Sequence, residues 1–270
     1  MVLLQMRSAT ETSLTMVVEG VDAAFMNALR RTLLSDVPKL AIDEVTVYDN
    51  TSALFDETLG HRLGLLPIPT DLAILNFRES CTCKGEGCPS CTVLYTLSKE
   101  GPCTVYSGDL SPTDRKWAVR DDRIPLVKLL PGQRVMLEAT AVLGTAQTHA
   151  KWQVASAVGY RNYPEIELLS PECPEGGACA RLAPHVFGYE NEKVVLKNAE
   201  AYKFAPDTLD ACKDHLRVKL RDDKWLLLVE TDGSLSAREA IVRAVGLLKE
   251  KLKATETAAP DLAAAPAAAK

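Results

Sequence analysis

Four of the chain's eight cysteines crowd into one short stretch, Cys81-Thr-Cys83-Lys-Gly-Glu-Gly-Cys88-Pro-Ser-Cys91. The pattern C-x-C-x4-C-x2-C folds two close pairs toward one point, and Gly85 and Gly87 let the chain reverse between them. Four thiolates so placed match a tetrahedral zinc ion whose positions are all filled by protein, which makes the expected metal structural and not catalytic. Disulfides are the competing reading. They suit small secreted domains better than a 270-residue chain of this kind.

Compartment and charge narrow the reading further. The start, Met1-Val-Leu-Leu-Gln-Met-Arg7, lacks the basic stretch and long apolar run of a secretory signal. No apolar run reaches the ~18 residues of a membrane span. A soluble, cytoplasmic protein with no membrane contact is expected. The formal net charge of −5 argues against direct nucleic-acid binding, which draws on released phosphate counterions and a basic face. Beside the cysteine loop, Lys84 stands against Glu79 and Glu86, which is not a basic recognition helix.

Periodicity predicts a mixed α+β chain. Val2 to Arg7 and Ser13 to Glu19 read as strands, the second alternating Leu14, Met16 and Val18 against Ser13, Thr15 and Val17. A helix is predicted from Asp22 to Asp36, stopping before Pro38. Phe25, Ala28, Leu29, Thr32 and Leu33 share one of its faces; Asn27, Arg30, Arg31 and Leu34 share the other, which taken alone reads as solvated. Leu40 to Tyr48 reads as a strand and Asp56 to Leu65 as a short helix. Thr92 to Leu97 and Cys103 to Ser107 read as strands, and Ile124 to Leu130 with Arg134 to Val142 as a hairpin about Pro131-Gly132. Trp225 to Glu230 is a strong strand. Ser236-Ala-Arg-Glu239 has capping-box spacing, opening a helix with the stripe Ile241, Ala244, Val245, Leu248 and Leu252. The alanine- and proline-rich 255–270 reads as a disordered tail.

Phe25-Met-Asn-Ala-Leu-Arg-Arg-Thr-Leu-Leu34, followed by Glu57-Thr-Leu-Gly-His-Arg-Leu-Gly-Leu-Leu-Pro67, resembles the signature of the alpha-like assembly subunits of RNA polymerase. Pro131-Gly-Gln133 and His149-Ala-Lys-Trp152 are similar to the archaeal and eukaryotic branch of that family. The resemblance runs in order from about residue 10 to 252.

It implies a split dimerisation domain, 1–40 with 217–254, around an inserted, mostly-β domain at 41–166. The two amphipathic helices would pair with those of a smaller alpha-like subunit, called L in archaea, through Phe25, Leu29, Leu33, Ile241, Val245, Leu248 and Leu252. Asn27, Arg30 and Arg31 would face the large subunits. Such a heterodimer would nucleate docking of subunit N and the second-largest subunit. The resemblance places catalysis, nucleotidyl transfer, in the large subunits, so no catalytic residue is assigned here. Glu57, His61 and Arg62 read as structural.

A second cysteine cluster has decayed. Cys173-Pro-Glu-Gly176-Gly-Ala-Cys179-Ala-Arg-Leu-Ala183-Pro184 can be laid on the ferredoxin run C-x2-C-x2-C-x3-C-P, but Gly176 and Ala183 stand at two cysteine positions. A second copy survives only through Cys212, with Pro206, Leu209 and Leu216 at the other three positions. Some archaeal members of the resembled family carry a ferredoxin-like domain here. The expectation for 167–216 is therefore a degenerate ferredoxin-like insertion without an iron–sulfur cluster, packed around Val186, Phe187, Val194 and Leu196; a disulfide between Cys173 and Cys179 is the lesser alternative. A ferredoxin-type electron carrier and a zinc-dependent nucleic-acid binder are the competing functions. Neither accounts for the ordered motifs at both ends of the chain.

Overall fold

The computed structural model describes residues 2–169, 178–191, 193–203 and 216–263. Its elements are mostly strands. They divide into two compact units, one of residues 1–8, 15–26 and 159–228, the other of 9–14, 27–158 and 229–270. This partition by contact cuts across the division read from the sequence.

The first unit is organised by a sheet in the order β1-β2-β12-β9, from β1 (Leu3–Ala9), β2 (Ser13–Glu19), β12 (Leu216–Thr231) and β9 (Ala155–Leu168). The N-terminal strands thus pair with a strand from near the other end of the chain. β2 lies between two neighbours, and Val17 is buried along with Met16 and Val18. On the side of that strand opposite Leu14 only Val17 is buried; Ser13 and Thr15 are half-buried. Trp225 on β12 donates its indole N–H to the carbonyl of Val21 at 2.9 Å and meets Tyr160 edge to face at 5.5 Å.

Within the predicted insertion lie a short helix, α3 (Ala178–Leu182), and a hairpin of β10 (Phe187–Glu190) and β11 (Lys193–Leu196). Cys179, Val186, Phe187, Val194, Tyr202 and Leu216 form its core. Leu196, predicted to pack there, is 39% exposed at the end of its strand. Cys179 is buried and disulfide-bonded, so packing alone does not hold this core, contrary to the expectation from sequence. Cys173 and Cys212 lie outside the described residues.

The second unit contains an antiparallel sheet in the order β3-β8-β4-β6, from β3 (Lys39–Asn50), β8 (Arg134–Gly144), β4 (Thr92–Glu100) and β6 (Ser111–Pro112). A separate ribbon pairs β5 (Cys103–Tyr106) with β7 (Pro125–Leu129). Inward residues alternate cleanly on β4 (Val93, Tyr95, Leu97) and β8 (Val135, Leu137, Ala139). They share a core with Leu59 and Leu63 of helix α2 (Asp56–Gly64). The Tyr95 hydroxyl donates to the carbonyl of Trp117 at 2.7 Å, and burial pushes its pKa up.

The predicted hairpin of β7 and β8 is corrected. Its turn exists, with Gly132 at φ +78° and Gln133 N–H bonded to the Leu130 carbonyl at 3.0 Å. The strands do not pair, because both edges of β8 are taken by β3 and β4. β7 finds its partner in β5 instead.

Two helices carry the remaining motifs. α1 (Ala23–Ser35) starts where the Asp22 carboxylate accepts the Phe25 N–H at 2.8 Å. α4 (Ala237–Ala263) starts on the capping box read from the sequence: Glu239 N–H reaches the Ser236 hydroxyl at 3.2 Å, and the Glu239 carboxylate accepts the Ser236 N–H at 3.1 Å. The helix continues through Ala263, so the predicted disorder from 255 onward is replaced by helix up to that point; 264–270 lie outside the described residues.

Candidate functional site

The four cysteines of the first cluster converge as their spacing required. Their sulfurs all lie within 4.8 Å of one another, with Cys81 to Cys88 at 3.5 Å, Cys83 to Cys91 at 3.6 Å and Cys88 to Cys91 at 3.8 Å. A tetrahedron with metal–sulfur bonds of about 2.3 Å has edges of about 3.8 Å, so this donor set fits zinc. The loop is wound by left-handed backbone at Lys84, Gly85 and Gly87 (φ +54°, +87° and +96°). Arg78 ties it down, donating to the Gly85 carbonyl at 2.9 Å and to Glu44 at 3.2 Å.

The Cys83 and Cys91 thiols shift in opposite directions. The Gly87 amide holds the Cys83 thiol down at about 6, while burial pushes Cys91 up to about 12. A buried thiol of that kind becomes a thiolate when a metal neutralises it, so binding releases protons and weakens in acid. Four protein donors leave no open position for substrate, so the group would supply folding energy and not chemistry.

The residues predicted to meet a partner divide by exposure. Leu29 and Leu33 on α1 are buried within the chain itself, together with Met26 and Thr32. In the chain alone they have almost no exposed surface. Phe25, on the same helix, is 39% exposed. On α4 the alanines Ala237, Ala240 and Ala244 are the side buried in the chain. Ile241 and Leu248 are half-buried, Val245 is exposed, and Leu252 is 70% exposed. From Lys249 to Ala259 every residue of the helix is exposed. Asn27 and Arg31 are exposed and Arg30 is half-buried, its guanidinium reaching the Asn27 side-chain oxygen at 3.3 Å.

In the α2 motif, Glu57 and His61 are exposed. Arg62 donates to the Leu126 carbonyl at 2.7 Å, joining α2 to β7. In the His149 to Trp152 motif, the indole N–H of Trp152 reaches the Val142 carbonyl at 3.1 Å, and the Lys151 ammonium lies 4.3 Å over its ring. Sequence reasoning missed Asp36 and Lys251, which meet at 2.5 Å; nothing in a pattern of adjacent residues announces a pair so far apart in the chain. It also missed Val242, exposed at 66% on α4 outside the predicted stripe.

Comparison with known proteins bears on these surfaces. A family model for the RNA polymerase Rpb3/Rpb11 dimerisation domain matches residues 15–252. The chain is 38% identical over 247 residues to DNA-directed RNA polymerase subunit Rpo3 of Thermoplasma volcanium, covering 87% of this chain and 90% of the relative. It is 39% identical over 252 residues to subunit Rpo3 of Methanothermobacter thermautotrophicus, covering 91% and 94%. For subunit Rpo3 of Methanosarcina acetivorans the identity is 37% over 247 residues, covering 90% and 92%. With a family match over most of its length and relatives this similar end to end, the chain belongs to the RNA polymerase Rpb3/Rpb11 dimerisation-domain family.

Proposed function

We propose that this chain is the alpha-like assembly subunit of an archaeal-type DNA-directed RNA polymerase, the counterpart of Rpo3, and acts as a platform without catalytic residues of its own. The complex it serves transfers nucleotidyl groups, and this chain contributes by holding other subunits in place. The observation that carries the reading is α4, a helix whose apolar Val245 and Leu252 stand exposed, uncovered by the described residues. An isolated helix is marginal in water, and packing an amphipathic face against a partner stabilises it. Relatives named as polymerase subunits supply the partner class.

In this reading the N-terminal strands, α1 and α4 form the dimerisation part and pair with the smaller alpha-like subunit L, through Phe25, Ile241, Val245, Leu248 and Leu252. Asn27, Arg30 and Arg31 meet the large subunits. Arginine suits that role because its planar fork pairs with carboxylates and carbonyls at low hydration cost. Subunit N and the second-largest subunit join next. Cys81, Cys83, Cys88 and Cys91 hold one structural zinc, and the segment around Cys179 is a ferredoxin-like remnant. A sulfur already in a disulfide has no thiolate for iron, which supports a remnant without a cluster. The assembly works in the cytoplasm; no helix among the described residues is long and apolar enough to cross a membrane.

Co-expression with a candidate small alpha-like subunit, followed by sizing, tests the proposal. A stable one-to-one heterodimer that Leu252→Asp disrupts is expected. A monodisperse monomer that ignores every candidate partner overturns it.

A further inference from the structure

The second unit contains a groove of about 810 Å³ along α4, beside the proposed dimer stripe. At about 100° per residue, Val242, Arg243 and Gly246 centre roughly 140° round the helix from Ile241, Val245, Leu248 and Leu252, while Arg238 falls in line with Val245 at the edge of that stripe. The opposite wall is the loop Pro69–Ala73 together with Lys116, Trp117 and Arg120. The volume is that of a pocket for a few side chains, within the usual range of about 300–1,000 Å³.

The lining pairs an apolar strip with a cationic rim. Val242 is 66% exposed on one wall, and Leu235 and Trp117 are buried behind. Around them stand Lys116, Arg120, Arg238 and Arg243, a concentration of positive charge on a chain whose net charge is −5. The two carboxylates of the lining are occupied locally: Glu239 caps Ser236, and Asp71 accepts the Ala73 N–H at 2.9 Å. Three of the cations have partial partners, Lys116 with Asp114 at 3.3 Å, Arg120 with Glu11, and Arg243 with Glu250 at 3.5 Å. Among the described residues Arg238 has none.

We infer that this groove docks a segment of another protein in which an apolar side chain is flanked by carboxylates. Val242 and Gly246 receive the apolar group, and Arg238 with Lys116 hold the acids on either side. Charge complementarity at such a rim sets on-rate and specificity more than raw affinity. Nucleic acid fits less well, since Asp71 and Glu239 interrupt any cationic track for phosphates and Trp117 is too buried to stack a base. The groove adjoins the proposed dimer stripe at Arg238, so sizing of each variant with the small partner separates a failure of this inference from a failure of the heterodimer reading.

The test uses the full chain with its small partner and three fluorescein-labelled probes: a short peptide of glutamates around two leucines, the same peptide with lysines for glutamates, and a single-stranded oligonucleotide. The acidic peptide is expected to bind, to weaken with added salt, and to lose about tenfold in affinity with Arg238→Glu. Lys116→Glu, on a separate element, is expected to act in the same direction, and Val242→Asp to weaken binding without disturbing the heterodimer. The lysine peptide is expected to gain on Arg238→Glu. No binding of the acidic peptide, unchanged binding to both charge-reversed variants, or stronger binding of the oligonucleotide overturns the inference.

Discussion

Asp36, just past the end of α1, accepts the Lys251 ammonium at 2.5 Å from the part of α4 that is otherwise exposed. The Ser35 hydroxyl, at 2.7 Å, and the Gln147 amide bond to the same carboxylate, and the Asp36 side chain is only 9% exposed. Together they set the direction in which the outer half of α4 leaves the chain. The pair therefore fixes the part of α4 that carries the proposed interface.

Asp36→Asn should weaken heterodimer affinity more than it lowers stability. Lys251 is 58% exposed, so solvent screens the pair and its loss costs about 0.5–1 kcal/mol of folding stability. Burial raises the Asp36 pKa, but hydrogen bonds from Lys251, Ser35 and Gln147 outweigh it and hold the carboxyl below its ordinary value. A depressed pKa gives stability that is present above the unfolded carboxylate range and lost as pH falls through the folded value. Urea midpoints measured across the acid range should fall more steeply for the native chain than for Asp36→Asn; identical slopes would discard the network.

Core and interface residues on the two helices should separate cleanly. Leu29→Ala removes a buried side chain and is expected to cost about 2–4 kcal/mol of stability. Leu252→Asp should leave the thermal midpoint nearly unchanged yet abolish partner binding in sizing experiments. A Leu252→Asp protein that still pairs normally would assign the interface elsewhere.

Metal analysis of the reduced, purified chain should find close to one zinc per molecule. Cys88→Ser should lower that content and loosen the 81–91 loop, detectable as new proteolytic cuts between Arg78 and Thr92. Strong chelators should do the same to the native chain, more readily at lower pH because protons compete for the thiolates. Fully reduced protein with no bound metal would end the zinc assignment.

Gly144 is fixed by its neighbour. A Cβ there would sit 2.4 Å from the indole of Trp152, which its bond to Val142 and the Lys151 ammonium hold in place. Gly144→Ala is expected to cost about 2 kcal/mol through overpacking, read from chemical denaturation, whereas Gly132→Asn in the open β7–β8 turn should be nearly neutral. A neutral Gly144→Ala would mean the ring moves freely.

Much of this was local and therefore legible. The cysteine spacing determined the converging sulfurs, because a loop that short with two left-handed glycines has few ways to run. The capping box at Ser236 and the stop before Pro38 follow from backbone geometry within a few residues, and the alternation on β4 directly marks its buried face. What the sequence left open was decided by contacts between distant segments. Whether β8 pairs with β7 depended on β3 and β4 taking its edges, and whether Leu33 faces a partner or its own core depended on what packs over α1. A helical or strand period states that a face is apolar; only the folded chain settles which neighbour covers it.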